Sequence, residues 1–443
     1  MKIQSLVGGL IVFILFTIAP AVGFSQITSA ASSVIPTEYA SGTQDNIHVF
    51  CGLKGQTNAA LTATNSNGLP ATFEWLKYDA ATGNFNPYLS DASGATTSVI
   101  SNLADGAYRV NITTTAGVQT YTAWVFNNYI ETTATIIDSD CNSFTLTGTS
   151  DTPALVYYDL TNRQTKTLAK DTKVRWTTGA ETVGQFLTYQ VFSPPTKDTD
   201  YTLTVSDRFG CSAQAEVRYT SIVTKASFTA EPEDQKKSHP SKTEAPLAVT
   251  FKNTSENGDK DKFQWFIYKD AAVLAREGAA SPDAPIDSIM QRLYVESPTY
   301  VFERPGTYNV KLVSQKTSPS NTCYDTVYID QLIKIDTSFI EAPNFFTPGN
   351  NDQVNDRFVV RFFSMKSVKI SIFNRWGKVV HVWESKDVRG FGPTVESTPQ
   401  SVWDGKVGGK LATPGVYYYV AEGTGRDDKK QQATGFFHLF RDK

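Results

Sequence analysis

Four times along the chain a turn leads into a tyrosine and then into an alternating strand, at intervals close to the length of one β-sandwich. The copies are Asp105-Gly106-Ala107-Tyr108-Arg109-Val110-Asn111-Ile112, Asp200-Tyr201-Thr202-Leu203-Thr204-Val205, Pro305-Gly306-Thr307-Tyr308-Asn309-Val310-Lys311-Leu312 and Pro414-Gly415-Val416-Tyr417-Tyr418-Tyr419-Val420. A tyrosine at such a place reads as a tyrosine corner, its ring in the core and its hydroxyl on a nearby backbone group. The repeat predicts an all-β chain of four tandem sandwiches. Their expected bounds are residues 26–135, 136–222, 223–336 and 337–443.

The intervening sequence agrees. Short segments rich in Thr, Val, Tyr and Phe alternate apolar and polar residues, and Gly, Asn, Asp and Pro interrupt them every 8 to 12 residues or so. The best helical stretch is short, Lys269 to Glu277. The polar segment Glu231 to Ser241 reads as a loop within the third sandwich. An apolar fraction of 40% over 443 residues supplies several small cores. A net charge of −3 without a basic run removes the electrostatic footprint for nucleic acid.

At the N-terminus Lys2 precedes an uncharged apolar run, Leu6 to Ala19, and Gly23-Phe24-Ser25 offers a cleavage site before Gln26. Residues 1–25 therefore read as a signal peptide, with an uncleaved anchor as the alternative. No later stretch is long and apolar enough to span a bilayer, so no transmembrane segment is expected after cleavage. Export makes disulfides possible for the four cysteines. Cys141 near the start of the second sandwich and Cys211 just after its tyrosine strand are expected to pair. Cys51 and Cys323, in different modules, are expected to be buried thiols.

Residues 245–255, running Ala245-Pro246-Leu247-Ala248-Val249-Thr250-Phe251-Lys252-Asn253-Thr254-Ser255, together with Phe263-Gln264-Trp265-Phe266 and Pro298 to Tyr308, resemble a PKD module. Ile267-Tyr268-Lys269-Asp270 departs from that family's Gly-Asp-Gly turn. The final sandwich resembles the gliding-motility-associated C-terminal domain of Bacteroidetes, the type B sorting domain of the type IX secretion system. Five motifs carry the resemblance in order. They are Phe345-Phe346-Thr347-Pro348-Gly349-Asn350-Asn351-Asp352-Gln353-Val354-Asn355-Asp356-Arg357-Phe358, Ile370-Ser371-Ile372-Phe373-Asn374-Arg375-Trp376-Gly377, Trp403-Asp404-Gly405-Lys406, Pro414-Gly415-Val416-Tyr417-Tyr418-Tyr419 and Gly435-Phe436-Phe437-His438-Leu439-Phe440-Arg441. Asn351 and Gln353 depart from the family's opening loop. The second sandwich, with Asp207-Arg208-Phe209-Gly210-Cys211 after its tyrosine strand, loosely resembles the Ig-like repeats of gliding adhesins.

Chemistry-bearing patterns are sparse. His48, His239, His381 and His438 have no metal-ligand spacing, and no nucleophile elbow, Walker loop or dinucleotide fingerprint occurs. No enzyme and no cofactor are expected. Asn350, Asp352, Asn355 and Asp356 could offer oxygens to calcium, but Asx side chains bonding their own turn is the preferred reading. Trp75, Trp124 and Tyr78 could form a sugar platform, with core packing between sheets preferred. Trp265, Trp376 and Trp403 read as core.

The resemblance implies a protein exported by the type IX outer-membrane machinery of a Gram-negative bacterium to the cell surface or beyond. The Arg375-Trp376-Gly377 turn and the closing strand Gly435 to Arg441 are the expected recognition surface, with Arg375 and Lys378 as its charges. The preceding sandwiches are expected to adhere or to space, in gliding or attachment. The alternatives are binding of surface glycans or host and substrate surfaces, or a structural part of the secretion or gliding machinery.

Overall fold

A computed structural model describes residues 26–91, 94–235, 243–280, 285, 287–349, 355–386 and 401–441. The expected signal peptide lies outside these residues. Strands dominate, and the helix Ala271–Ala280 stands where the sequence suggested one. Asp270 caps that helix, its Oδ1 accepting from the Ala272 amide at 2.8 Å. Strands such as Ala59–Thr64 and Thr199–Ser206 bury every second residue, so one face of each is core.

At Tyr108, Tyr308 and Tyr417 the repeated tyrosine does what the pattern implies. The hydroxyls of Tyr108, Tyr308 and Tyr417 each donate to the carbonyl four residues upstream, on Ala104, Arg304 and Thr413, at 2.9, 2.7 and 2.9 Å. Two residues before each sits a glycine with φ of 145°, 154° or 144°, at Gly106, Gly306 and Gly415. L side chains rarely adopt that conformation, which explains the Gly-x-Tyr spacing. In the first three sandwiches the tyrosine strand continues beside a strand bearing a fully buried tryptophan. Trp75 faces Val110, Trp176 faces Leu203 and Trp265 faces Leu312. Each indole N–H is satisfied, by Ser98 Oγ, the Phe186 carbonyl and the Val295 carbonyl.

The chain condenses into two compact units. The first holds residues up to 137, 145–191 and 200–218. Here a six-stranded sheet, in the order Ser33–Pro36, Asn46–Cys51, Gly117–Asn128, Gly106–Thr114, Thr72–Asp79, Asn84–Asp91, faces the three strands Ile27–Thr28, Ala59–Thr64 and Thr97–Leu103. Phe73, Trp75, Tyr108 and Val110 fill the space between. The opposite face of the large sheet is also buried. Its Ile47, Val49, Trp124 and Phe126 pack with Leu155, Tyr157, Phe209 and Cys211 in one continuous apolar cluster. Tyr39 donates to Asp45 at 3.0 Å and accepts from the Trp124 indole at 2.7 Å within it. Burial pushes the Asp45 carboxyl above its usual range.

His48 lies in the same region and is only 2% exposed. Its Nδ1 meets Ser29 Oγ at 2.7 Å, and its Nε2 has no hydrogen-bond partner among the described residues. Burial pushes its pKa down to about 4. The unfolded chain then binds the proton first as pH falls. The stability this gives is complete above about pH 6.5 and is lost between there and pH 4, by about 3 kcal/mol. Denaturant titration at pH 7.5 and 4.5 should show that loss in the parent and a smaller one in His48→Gln.

The second unit holds residues 138–144, 192–199 and 219 onward. Four strands in the order Ile289–Leu293, Gln264–Tyr268, Val310–Thr317, Thr322–Tyr328 lie over Phe228–Pro232, Leu247–Asn253 and Thr299–Phe302. Val249, Phe251, Trp265, Ile267, Val310 and Leu312 form their core. Phe144 stacks on Tyr219 at 4.2 Å, and Asn321 Nδ2 donates to the Ser139 carbonyl at 3.1 Å. Ser364 accepts at Oγ from the Ala245 amide at 3.0 Å, beside the last sheet of the chain.

The cysteine pairing expected from the sequence is overturned. Cys141 does not pair with Cys211, and Cys51 and Cys323 are not free thiols. The bridges are Cys51–Cys211, with Cα atoms 5.2 Å apart, and Cys141–Cys323, at 5.5 Å. The pairs follow the packing within each unit: Cys51 and Cys211 both belong to the first, where Asn128 Nδ2 donates to the Cys211 sulfur at 3.0 Å, and Cys141 and Cys323 both belong to the second. A bridge needs Cα atoms within ~7 Å, and both pairs meet that.

Candidate sorting surface

The last sandwich is built on a five-stranded sheet in the order Phe345–Phe346, Lys430–Leu439, Gly415–Gly425, Met365–Phe373, Val379–Lys386. One face and its flanking strands enclose a core that gathers the five sequence motifs. Phe346 and Phe358 come from the opening motif, Ile370 and Ile372 from the second, Trp403 from the third, Tyr417 from the fourth and Phe437 from the last. Phe358 and Phe437 have ring centroids 4.1 Å apart, and Phe346 and Trp403 5.4 Å. The Trp403 indole donates to the Lys406 carbonyl at 2.9 Å.

Several motif residues close this core through tight turns and close approaches. Gly405 has φ of 74°, and a Cβ there would come within 2.6 Å of the Pro348 ring. The Phe-Thr-Pro and Trp-Asp-Gly motifs are therefore two halves of one corner. Thr347 donates its amide to the Asn355 carbonyl at 2.8 Å, and Asp404 Oδ1 accepts from the Lys406 amide at 3.1 Å. A Cβ at Gly435 would meet the Tyr419 ring at about 3 Å, so the glycine admits that ring. Arg441 reaches the Ala412 carbonyl.

Of the two tryptophans in the motifs, one breaks the pattern. Trp376 does not enter the core; it is 76% exposed. The reason is local. Asn374 Oδ1 accepts from the amides of Trp376 and Lys378, both at 3.0 Å, and the Asn374 and Lys378 backbones pair across the turn at 2.9 Å. Gly377 takes φ of 76°. This tight hairpin turn throws Arg375 and Trp376 outward, with the guanidinium 4.7 Å from the indole ring. The signal was present in the sequence: Asn and Gly bracket two residues between alternating strands, which is turn chemistry and not strand continuation.

Behind the turn lies an aromatic sheet face that nothing described covers. Val379, Phe373, Tyr418 and Phe436 stand opposite one another across four strands. Phe436 is 55% exposed and Phe440 52%. His438 sits between them, 5.8 and 5.6 Å from their rings, and faces Phe345 across the parallel pair. Turn and face together present a guanidinium, a lysine and exposed rings. Arginine and tryptophan in such a setting are the side chains that anchor protein interfaces.

Other expected positions fare differently. Of the calcium candidates, Asn350 and Asp352 lie outside the described residues. Asn355 is exposed with φ of 56°, and Asp356 is half-buried. No group of three or more metal-ligating residues occurs among the described residues. Trp75 and Trp124 are buried, and Tyr78 packs 6.1 Å from Trp124, so the sugar-platform residues serve as core. A cleft of about 590 Å³ beside the helix is lined by Lys269, Glu277, Arg304 and Lys429 among others, but these charges pair with Glu277, Lys269, Asp428 and Asp427. No described helix is long and apolar enough to cross a membrane.

Residues 340–439 match the CHU_C type IX secretion signal domain. No curated protein matches the chain. Among solved structures, similarity extends to the tetra-tandem repeat in the extending region of a large adhesion protein. That match is 14% identical, covers 87% of this chain and 96% of that one, and has a TM-score of 0.27. The Sidekick-1 immunoglobulin domains 1–5 are 11% identical over 92% and 81%, with a TM-score of 0.23. The fibronectin(III)-like modules of Clostridium thermocellum CbhA are 12% identical over 42% and 94%, also at 0.23. Scores this low carry no argument, and the sandwich assignment rests on the strands themselves. The chain thus carries a type IX secretion signal domain at residues 340–439 behind tandem β-sandwiches, and that signal marks it for export to the cell surface or the extracellular space.

Proposed function

We propose that the chain is a non-catalytic surface arm. Its last sandwich is grasped by the type IX outer-membrane machinery at the Arg375-Trp376 turn and the aromatic face behind it. The sandwiches before it adhere or act as a spacer. The observation that carries the reading is the exposure of Trp376: a large apolar ring at the tip of a motif turn contributes nothing to the core, and its removal from water must come from a partner. The aromatic residues that a sugar-binding reading needs are engaged in packing, which favours the spacer reading.

Deleting residues 337–443 tests the assignment. The third sandwich keeps its own core of Val249, Phe251, Trp265 and Leu312. The truncated protein should therefore fold and remain in the periplasm. Its appearance on the cell surface, by protease accessibility on intact cells, would sink the proposal.

A further inference from the structure

The two bridges interleave: Cys51 pairs with Cys211, and Cys141, which lies between them, pairs with Cys323. We infer from this order a mechanical function, a tether whose extension is limited by the second sandwich. The inference rests on covalent connectivity and not on the adhesion reading.

Consider tension applied between Cys51 and Cys323. Four covalent routes connect them, the longest being the chain itself, roughly 272 residues from Cys51 to Cys323. One follows the chain from Cys51 to Cys141, roughly 90 residues, and crosses to Cys323. Another crosses from Cys51 to Cys211 and follows roughly 112 residues to Cys323. The third crosses the first bridge, runs backward from Cys211 to Cys141 through roughly 70 residues, and crosses the second. The shortest route becomes taut first and limits the extension. It consists of the second sandwich alone.

Residues 52–140 and 212–322, most of the first and third sandwiches, lie on the longer routes. They cannot be drawn straight while both bridges hold. At about 3.5 Å per residue the span from Cys51 to Cys323 is limited to about 250 Å, against about 950 Å for the reduced chain. A nested pairing would carry no load through the second sandwich, and the pairing Cys141–Cys211 alone would leave both neighbours free to unravel. Interleaving is what concentrates force on the middle module and shields the two beside it.

Single-molecule pulling on the full mature chain, held at its two ends, reads this directly. The oxidised chain should release about 700 Å less contour length than the same chain in dithiothreitol. The double variant Cys51→Ser/Cys211→Ser should release about 70 Å more than the oxidised parent, and Cys141→Ser/Cys323→Ser about 150 Å more. These lengths hold whether or not a variant folds fully, because they count chain and not contacts. Equal release from oxidised and reduced parent, or release at the reduced length from either double variant, would overturn the inference.

Discussion

Removing the Cys51–Cys211 bridge, by Cys51→Ser with Cys211→Ser, should lower the stability of the first unit by about 5 kcal/mol in the chain-entropy account. The bridge closes a sequence separation of 160, which sets that magnitude. It also sits where the first two sandwiches share an apolar cluster, so its loss acts on both together. Asn128 donates to Asp207 at 2.6 Å and accepts from Lys170 at 2.7 Å beside the sulfurs. Those bonds should hold the joint closed in the absence of the bridge, and unfolding should stay cooperative at a lower midpoint. Urea titration of parent and variant under oxidising conditions measures it. A midpoint unchanged by the substitution would mean that the bridge constrains nothing the packing does not already fix.

Trp403→Ala should cost about 3–5 kcal/mol, the range for emptying a large aromatic site in a core. Trp403 is 1% exposed and touches the rings of Phe346, Tyr417 and Phe437, one from each of three other motifs. Its loss leaves a cavity at the meeting point of all of them and deprives the Lys406 carbonyl of its donor. The last sandwich should melt well below the others, visible as a separate early transition in calorimetry.

Much of this architecture is legible in the chain because its determinants are local. Gly-x-Tyr encodes a backbone conformation and a hydrogen bond within five residues, and it reads correctly at Tyr108, Tyr308 and Tyr417. The type IX motifs were readable for a similar reason, since Gly405 and Pro348 record a close approach that admits few alternatives. The cysteines were not. Which sulfurs meet depends on which loop ends come together across separations of 160 and 182 residues, and no local pattern records that. Trp376 was misread through its neighbours: Ile370 and Ile372 alternate into the core, and the rhythm stops at Asn374, where the turn begins.

That distinction between motif tryptophans supports the central claim, that the sorting domain is recognised through its exposed turn. Surface display of the full chain carrying Trp376→Ala tests it most directly, scored beside the melting curve of the purified variant. The substitution removes no core contact, so stability should stay within about 0.5 kcal/mol of the parent. The folded protein should nonetheless accumulate in the periplasm, its surface level reduced at least tenfold. Display at the parent's level, with the fold intact, would contradict the account.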